Sequence, residues 1–207
     1  DATEQIFNCM AHKNSAVWIY EADIKGCFDN ISHKWLLDNI PMNKLILRKW
    51  LKTGYIEQKN FYPTIAGTPQ GGIISPVLMN MTMDGLEKLI KNRFPKHISE
   101  KKVNFIRYAD DFIITAASRE IIENPIAPLV ENFLMERGLT LSPDKTKITH
   151  INDGFDFLSQ NTRKYKGKLL QKPSKKAIIE IHRKLRTIVR QNMGNSAKEL
   201  IKKLNSV

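Results

Sequence analysis

Two adjacent aspartates stand between two short apolar runs in the segment Tyr108-Ala109-Asp110-Asp111. The runs at 103–108 and 112–116 are rich in β-branched and aromatic residues, which predicts two strands joined by a hairpin turn. An ordinary turn more often holds a single aspartate that bonds to its own backbone. Two carboxylates that a turn aims into the same space repel each other, and a divalent cation is the usual compensation. The pair therefore predicts a metal site.

A third carboxylate, Asp23, lies at the end of a predicted strand over residues 17–24. Alternation along this strand puts Trp18, Tyr20, Ala22 and Ile24 on one apolar face, suited to packing under helices, and leaves Asp23 on the other. Three carboxylates of this kind can hold two Mg²⁺ ions roughly 3.5–4 Å apart, the arrangement used for phosphoryl transfer. Taken alone, Asp23 could equally be a helix cap or a surface acid.

The remaining pattern predicts helices interleaved with strands. Apolar spacing and capping residues predict helices at 1–13, 32–39, 44–53, 77–94 and 126–137, and again after Ser174 and Ser196. Further strands are expected at 146–151 and 155–158, and a hairpin at 164–170. Because the order is not a strict strand–helix alternation, we expect an α+β domain built on an antiparallel sheet.

The net charge of +12 is concentrated at one end of the chain. Residues 163–207 hold 14 Lys and Arg against two Glu, so 14 − 2 = +12, whereas residues 1–162 hold 19 basic and 19 acidic side chains. A neutral body with a basic segment suits binding to a polyanion such as RNA. The alternative is a basic helix that is only solvated.

Composition also limits the class of protein. No run of 18 or more apolar residues occurs, so no membrane partner is expected. Cys9 and Cys27 lack metal-ligand spacing and are expected to be reduced thiols, as in a cytoplasmic protein. The sequence starts at Asp1 without a leader, which predicts a fragment of a longer chain.

Three segments of the chain stand out in order: Asp23-Ile24-Lys25-Gly26-Cys27-Phe28-Asp29-Asn30-Ile31, Gly67-Thr68-Pro69-Gln70-Gly71-Gly72-Ile73-Ile74-Ser75-Pro76 and Tyr108-Ala109-Asp110-Asp111. Two blocks follow them, at 141–147 (Leu-Ser-Pro-Asp-Lys-Thr-Lys) and 155–158 (Phe-Asp-Phe-Leu). In this order, the three segments resemble the palm motifs of group II intron-encoded reverse transcriptases (maturases), and the two blocks resemble those that follow in that family.

The resemblance implies a right-hand polymerase fold: a palm with partial fingers at 1–162, then a basic hairpin and helices at 163–207 that end the palm and start a helical thumb. It implies an RNA-directed DNA polymerase that uses two Mg²⁺ ions, with Mn²⁺ as an alternative. Asp23, Asp110 and Asp111 would bind the metal, assisted by the carbonyl of Ile24.

Four residues match positions that contact the incoming nucleotide in the family. Phe28 would be an aromatic gate that leaves no room for a 2′-hydroxyl, although a core aromatic is about as common. Gln70 and Gly71 would contact the nucleotide, whereas a tight loop before a helix is the simpler interpretation of a Gly-rich segment. Lys145 matches a lysine near the active site and could otherwise be a surface lysine.

The implied partners are an RNA template, a DNA primer, deoxynucleoside triphosphates and a group II intron RNA. A homodimer is compatible with the sequence, as are a cytoplasmic location and a bacterial or organellar origin. The candidate nucleic-acid contacts lie in the basic segment: Arg163, Lys164, Lys175, Lys176, Arg183 and Arg186.

One departure and two alternatives qualify the resemblance. Ser159 and Gln160 stand where the family has glycine and an aromatic, which puts the primer grip in question. An RNA-dependent RNA polymerase is disfavoured by Ala109 in the turn and by Phe28. An RNA-binding splicing cofactor with weak or absent polymerase activity stays open.

Overall fold

The computed structural model describes residues 2–57, 60–62, 66–68, 72–95 and 100–206. They form two compact units, Asp1–His150 and Ile151–Val207. This division falls before the boundary predicted after residue 162, because the strand at 155–157 pairs with the strand that follows it. The assignment of 1–162 to palm and fingers and of 163–207 to the palm end and thumb stays a prediction.

A four-stranded antiparallel sheet lies at the centre of the first unit. In chain order the strands of this unit are β1 (Trp18–Ala22), β2 (Tyr55–Glu57), β3 (Asn60–Tyr62), β4 (Asn104–Tyr108), β5 (Asp111–Ala116) and β6 (Lys147–His150). The sheet has the order β4-β5-β1-β6, and β2 pairs with β3 separately. Ala22 pairs with Phe112, so the last residue of β1 lies next to the start of β5, at one end of the sheet's strands.

Helices cover this sheet. They are α1 (Ala2–Met10), α2 (Cys27–Asn30), α3 (His33–Asn39), α4 (Lys44–Lys52), α5 (Ser75–Met83), α6 (Leu86–Arg93), α7 (Arg119–Ile121) and α8 (Ala127–Met135). Tyr20, Ala22 and Ile24 are buried in one core with side chains of α3, α5 and α8, as alternation along β1 predicts. The expected α+β architecture on an antiparallel sheet is confirmed.

The single helix predicted over 77–94 is wrong, because the structure has two helices there, α5 and α6. Asp84 is extended and Gly85 has a φ of 95°, a left-handed conformation that ends one helix and begins the next. The apolar stripe continues across the break because Leu78, Leu86 and Ile90 all enter the same core. Apolar spacing alone therefore does not reveal the break.

The predicted helix at 126–137 corresponds to α8, which ends at Met135. Gly138 follows with a φ of 77°, a left-handed conformation. A π-helical turn, Ile122–Ile126, precedes it and contains Pro125. A proline has no N–H to continue an α-helical hydrogen-bond ladder, which accounts for an irregular turn at this point.

The second unit contains a three-stranded antiparallel sheet of β7 (Phe155–Phe157), β8 (Gln160–Tyr165) and β9 (Lys168–Pro173), in that order. Two helices follow, α9 (Lys175–Gln191) and α10 (Ala197–Leu204), capped by the hydroxyls of Ser174 and Ser196 as predicted. Neither helix buries a side chain. Within the described parts of the chain, no helix combines the length and apolar character needed to cross a membrane.

Candidate active site

The turn between β4 and β5 presents the two adjacent aspartates. Tyr108 pairs with Asp111, so only Ala109 and Asp110 lie between the strands, in agreement with the predicted hairpin. Ala109 has a φ of 56°, a left-handed conformation that costs a residue with a side chain roughly 1–2 kcal/mol. Nη1 of Arg107 donates a hydrogen bond to the carbonyl of Ala109 at 3.2 Å and thereby stabilises the turn.

β1 brings Asp23 to the same end of the sheet as the turn. Asp23 directly follows Ala22, and Asp111 directly precedes Phe112. Ala22 and Phe112 are paired across β1 and β5. The carbonyl of Asp23 accepts a bond from the Ser142 amide at 2.8 Å, and its amide donates to Oγ1 of Thr146 at 3.4 Å. The backbone of Asp23 is therefore held by two bonds to the 142–146 segment, while its neighbour Ala22 pairs with β5.

Electrostatic coupling shows that the three acids lie near one another. The pKa of Asp111 is raised, first by partial loss of water around its carboxylate and then by the charges of Asp110 and Asp23. Because Asp111 as a whole residue is exposed, its desolvation is incomplete and the repulsion is partly screened. Lys145 opposes the rise in pKa, and its Nζ lies 3.4 Å from Oδ2 of Asp23.

The carboxylate donors near the turn suit a hard divalent cation. Among the described residues, no group of three or more His, Cys, Asp or Glu side chains is already arranged to hold a metal ion. Carboxylate oxygens are the ligands that Mg²⁺ and Mn²⁺ prefer, and a cation would relieve the repulsion that raises the pKa of Asp111. The chemistry of these donors suits a hard cation, and the metal site itself stays a prediction.

Phe28 lies on α2, beside this cluster. The pKa of Cys27, its neighbour on α2, is raised to about 12 by burial and then by the charges of Asp110 and Asp29. The helix that carries Phe28 is therefore near the Asp110 turn. Phe28 itself is half-buried and packs against the core, so both interpretations of this ring, gate and core aromatic, agree with its position.

The Gly-rich loop is described only in part. Gln70 and Gly71, the predicted nucleotide contacts, lie outside the described residues. The preceding part is bonded to α2 and its C-cap: the Thr68 amide donates to the carbonyl of Phe28 at 2.6 Å, and the Gly67 amide donates to that of Ile31 at 2.9 Å. The loop that leads to Gln70 is thus attached directly to the Phe28 segment.

Supporting residues of the site could not be singled out from the sequence. Nη1 of Arg107 also donates to Oδ1 of Asn80 at 3.2 Å, and its Nη2 lies 3.4 Å from Oδ1 of Asp84. Arg107 thereby ties the aspartate turn to α5 and its C-cap. An arginine in a largely apolar strand next to two acids was the available signal, but its partners Asn80 and Asp84 lie more than 20 positions earlier.

The predicted nucleic-acid contacts belong to the second unit. Lys175, Lys176, Arg183 and Arg186 are all exposed on α9. Arg163 is partly buried, and its guanidinium stacks on the ring of Tyr165 at 4.6 Å. A correction concerns Lys164: only 8% of it is exposed, so its side chain is not offered to an RNA strand in this arrangement.

The position of the primer-grip departure is also clear. Ser159, which stands where the family has glycine, has a φ of 64°, and Leu158 before it has a φ of 48°. Glycine adopts this left-handed conformation at no steric cost, whereas serine is strained in it. The carbonyl of Ser159 accepts a bond from the Ser174 amide at 2.8 Å, so the segment keeps its connection to the start of α9.

Comparison with solved structures supports the fold. Telomerase from Candida tropicalis in complex with a fragment of telomeric RNA aligns with a TM-score of 0.59 and 11% identity, over 99% of this chain and 39% of that protein. The Candida albicans counterpart gives a TM-score of 0.56 and 14% identity, with the same coverage. At this identity the likeness concerns the fold alone, and it agrees with the predicted palm.

Comparison with known sequences supports the family. The group II intron-encoded protein LtrA of Lactococcus lactis subsp. cremoris is 30% identical over 72% of this chain, which spans 35% of that protein. A putative COX1/OXI3 intron 2 protein of Saccharomyces cerevisiae is 26% identical over 76% of the chain, spanning 25% of that protein. These relatives confirm the resemblance to group II intron-encoded proteins. The family described as reverse transcriptase (RNA-dependent DNA polymerase) matches residues 1–162, and the chain belongs to this family.

Proposed function

We propose that the chain provides the active site of an RNA-directed DNA polymerase of a mobile group II intron, which adds deoxynucleotides to a DNA primer on an RNA template. The observation that carries this proposal is that Asp23 and the Asp110–Asp111 turn lie at the same end of the sheet, close enough for the charges of Asp23 and Asp110 to raise the pKa of Asp111. Membership in the reverse transcriptase family supports the same reaction.

In this proposal Asp23, Asp110 and Asp111, with the carbonyl of Ile24, hold two Mg²⁺ ions, for which Mn²⁺ can substitute. Bound cations supply the Lewis acidity that lowers the pKa of a primer 3′-hydroxyl and neutralises the triphosphate. Because little protein acid–base chemistry is then needed, the chain acts mainly by positioning the primer end and the nucleotide. The two backbone bonds of Asp23 and the bond of Arg107 to the turn serve that positioning.

The nucleotide side of the site is assigned to Phe28, Gln70, Gly71 and Lys145. Phe28 packs under the sugar and excludes a 2′-hydroxyl, while Gln70 and Gly71 contact the nucleotide from the Gly-rich loop. Lys145 is 70% exposed at its side chain and pairs only loosely with Asp23, so its ammonium is available to a triphosphate.

A second function, intron RNA binding in splicing, is favoured by the charge distribution. The excess of +12 lies within residues 163–207, and the basic side chains of α9 are solvent-exposed. This surface would attract a phosphate backbone whether or not the polymerase site turns over. The two functions are therefore separable by substitution.

The test is the double variant Asp110→Asn/Asp111→Asn, which removes two charges at nearly constant side-chain volume. We expect cDNA synthesis on an RNA template to fall by at least about 10³-fold, and intron RNA affinity to stay within about twofold. Asp38→Asn, an exposed acid on α3, is the matched control and should leave both unchanged. Synthesis that survives the double substitution would show that the enzymatic assignment is wrong.

A further inference from the structure

We propose that His33 is a positioning residue for sugar selection: it holds Gly67 against the backbone of α2 and so fixes the place of Phe28. This inference rests on the proposed function, in which Phe28 excludes the 2′-hydroxyl. It adds a residue that does not touch the nucleotide and that controls how the site discriminates deoxyribose from ribose.

The contact that carries the inference is short and well supported. Nε2 of His33 lies 2.6 Å from the carbonyl oxygen of Gly67. Because a carbonyl only accepts, the imidazole must carry its hydrogen on Nε2 and donate it. His33 is the first residue of α3, directly after the N-cap Ser32, whose hydroxyl accepts a bond from the Trp35 amide. The imidazole therefore projects from a fixed helix start.

Gly67 lies against α2 without any side chain in between. A Cβ added at Gly67 would fall 2.2 Å from the carbonyl oxygen of Phe28 and 2.6 Å from Cα of Asp29. The neighbouring amides of Gly67 and Thr68 donate to the carbonyls of Ile31 and Phe28. At such close approach, a displacement of the loop is passed directly to the backbone of Phe28.

The other side chain available at this point does not hold the loop. Thr68 is buried, and its hydroxyl has no hydrogen-bond partner among the residues that the structure describes. The described loop residues 66–68 are thus attached to α2 by backbone bonds and to α3 through His33.

Phe28 needs such external support because α2 is a single turn. Four residues, Cys27–Asn30, form this helix, and a lone turn is unstable in isolation. Its local bonds include those of the Asp29 and Asn30 amides to the Gly26 carbonyl, and of the Asn30 side chain to the carbonyls of Lys25 and Gly26. The placement of the Phe28 ring therefore depends on what holds α2 from outside.

The experiment compares His33→Ala with His33→Gln in the full chain, by primer extension with dATP and with ATP. We expect His33→Ala to reduce the ratio of dATP to ATP incorporation about fivefold, the usual effect of one lost hydrogen bond. His33→Gln, whose side-chain amide can donate from a similar position, should recover most of that preference. Lys34→Ala, an exposed neighbour on α3, is the control and should keep it fully.

Two further measurements make the result independent of turnover. Hydrogen exchange at the Gly67 and Thr68 amides should accelerate in His33→Ala and stay near wild type in His33→Gln, because these amides report whether the loop stays on α2. Direct binding of dATP and ATP should show the same loss of preference. A substitution that only loosens the fold would weaken the binding and incorporation of dATP and ATP equally and leave their ratio unchanged. This result would overturn the inference.

Phe28→Val separates failure of the inference from failure of the proposed function. If Phe28→Val loses the preference for dATP while His33→Ala retains it, the gate stands and the role of His33 is wrong. If Phe28→Val retains the preference as well, the gate itself is wrong, and the inference fails with it.

Discussion

Asp111 has a carboxyl group that is easier to protonate than an ordinary aspartate, because of partial desolvation and the nearby charges of Asp110 and Asp23. Its pKa is higher in the folded than in the unfolded chain. The stability contributed by this group is therefore fully present below the unfolded pKa of about 3.9 and is lost as the pH rises through the raised folded value. Without divalent cations, the ionised cluster should weaken the fold at neutral pH.

We therefore expect Asp111→Asn to raise the melting temperature at pH 7 in the presence of a chelator. The gain should shrink as the pH falls through the raised folded pKa of Asp111 and should be gone below about 4, where the wild-type carboxyl is protonated in both the folded and the unfolded chain. It should also shrink at high salt. Thermal unfolding measured across this pH range tests the expectation. A variant that is less stable than wild type at pH 7 would show that repulsion does not dominate at this turn.

Residues whose chemistry is local were predictable from the sequence, and residues that act through distant partners were not. Asp110 and Asp111 are adjacent, so hairpin geometry alone places both at one turn. The approach of Asp23 depends on the pairing of β1 with β5, which was expected only through the family resemblance. Arg107 and His33 act through backbone carbonyls and through residues of other elements. Such bonds depend on tertiary placement, which spacing alone does not supply.

Arg137 connects three helices at the end of α8. It is 9% exposed, its Nε donates to the carbonyl of Thr82 at 2.8 Å, and its Nη1 donates to that of Phe133 at 2.8 Å. Its guanidinium also stacks on the rings of Trp35 and Phe133, at 4.6 and 3.4 Å from their centroids. This single side chain therefore joins α3, α5 and α8.

We expect Arg137→Ala to lower the free energy of unfolding by about 2–4 kcal/mol, through lost bonds and lost stacking. Arg137→Lys should recover only part of this, because an ammonium cannot donate in the same fixed directions or stack as a plane. Denaturant unfolding measures both. Lys91→Ala, which breaks an exposed pair with Glu87, is the control and should cost less than about 1 kcal/mol. An equal loss in Arg137→Ala and the control would refute this role.

Elements were predictable where periodicity and caps agree, and less so where one core spans two elements. The hairpin of β4 and β5 and the start of α9 at Ser174 match the sequence prediction. The break at Gly85 was hidden, because both α5 and α6 bury apolar residues in the same core and the stripe runs on without interruption. The four-residue α2 is too short to leave a periodic signal.

Over the whole molecule, the charge separation predicts where a polyanion binds. Neutralising four exposed basic residues of α9 should weaken RNA binding and reduce the salt slope of log K by about 3, the effect of losing four phosphate contacts on a single strand. The measurement is the RNA-binding constant at several salt concentrations, for the wild type and for a variant with four residues replaced by Gln: Lys175, Lys176, Arg183 and Arg186.

A matched variant carries the same change in charge on the first unit. Its four substituted lysines are exposed on α4 and α6, and the salt slope should stay near wild type: Lys49, Lys52, Lys88 and Lys91. Equal losses in the two variants would show that net charge, and not the basic segment, governs binding. The sequence predicted this segment because charge is additive along a chain, whereas the burial of Lys164 depends on β-sheet pairing.

The most direct measurement is the binding of Mn²⁺ to the isolated chain, followed by electron paramagnetic resonance, in the wild type and in Asp23→Asn, Asp110→Asn and Asp38→Asn. If an early strand and a later turn build one cation site, Asp23→Asn and Asp110→Asn should each weaken binding by more than about tenfold. Asp38→Asn should leave it unchanged. Wild-type affinity in Asp23→Asn would contradict the account, because it would mean that β1 does not contribute to the site.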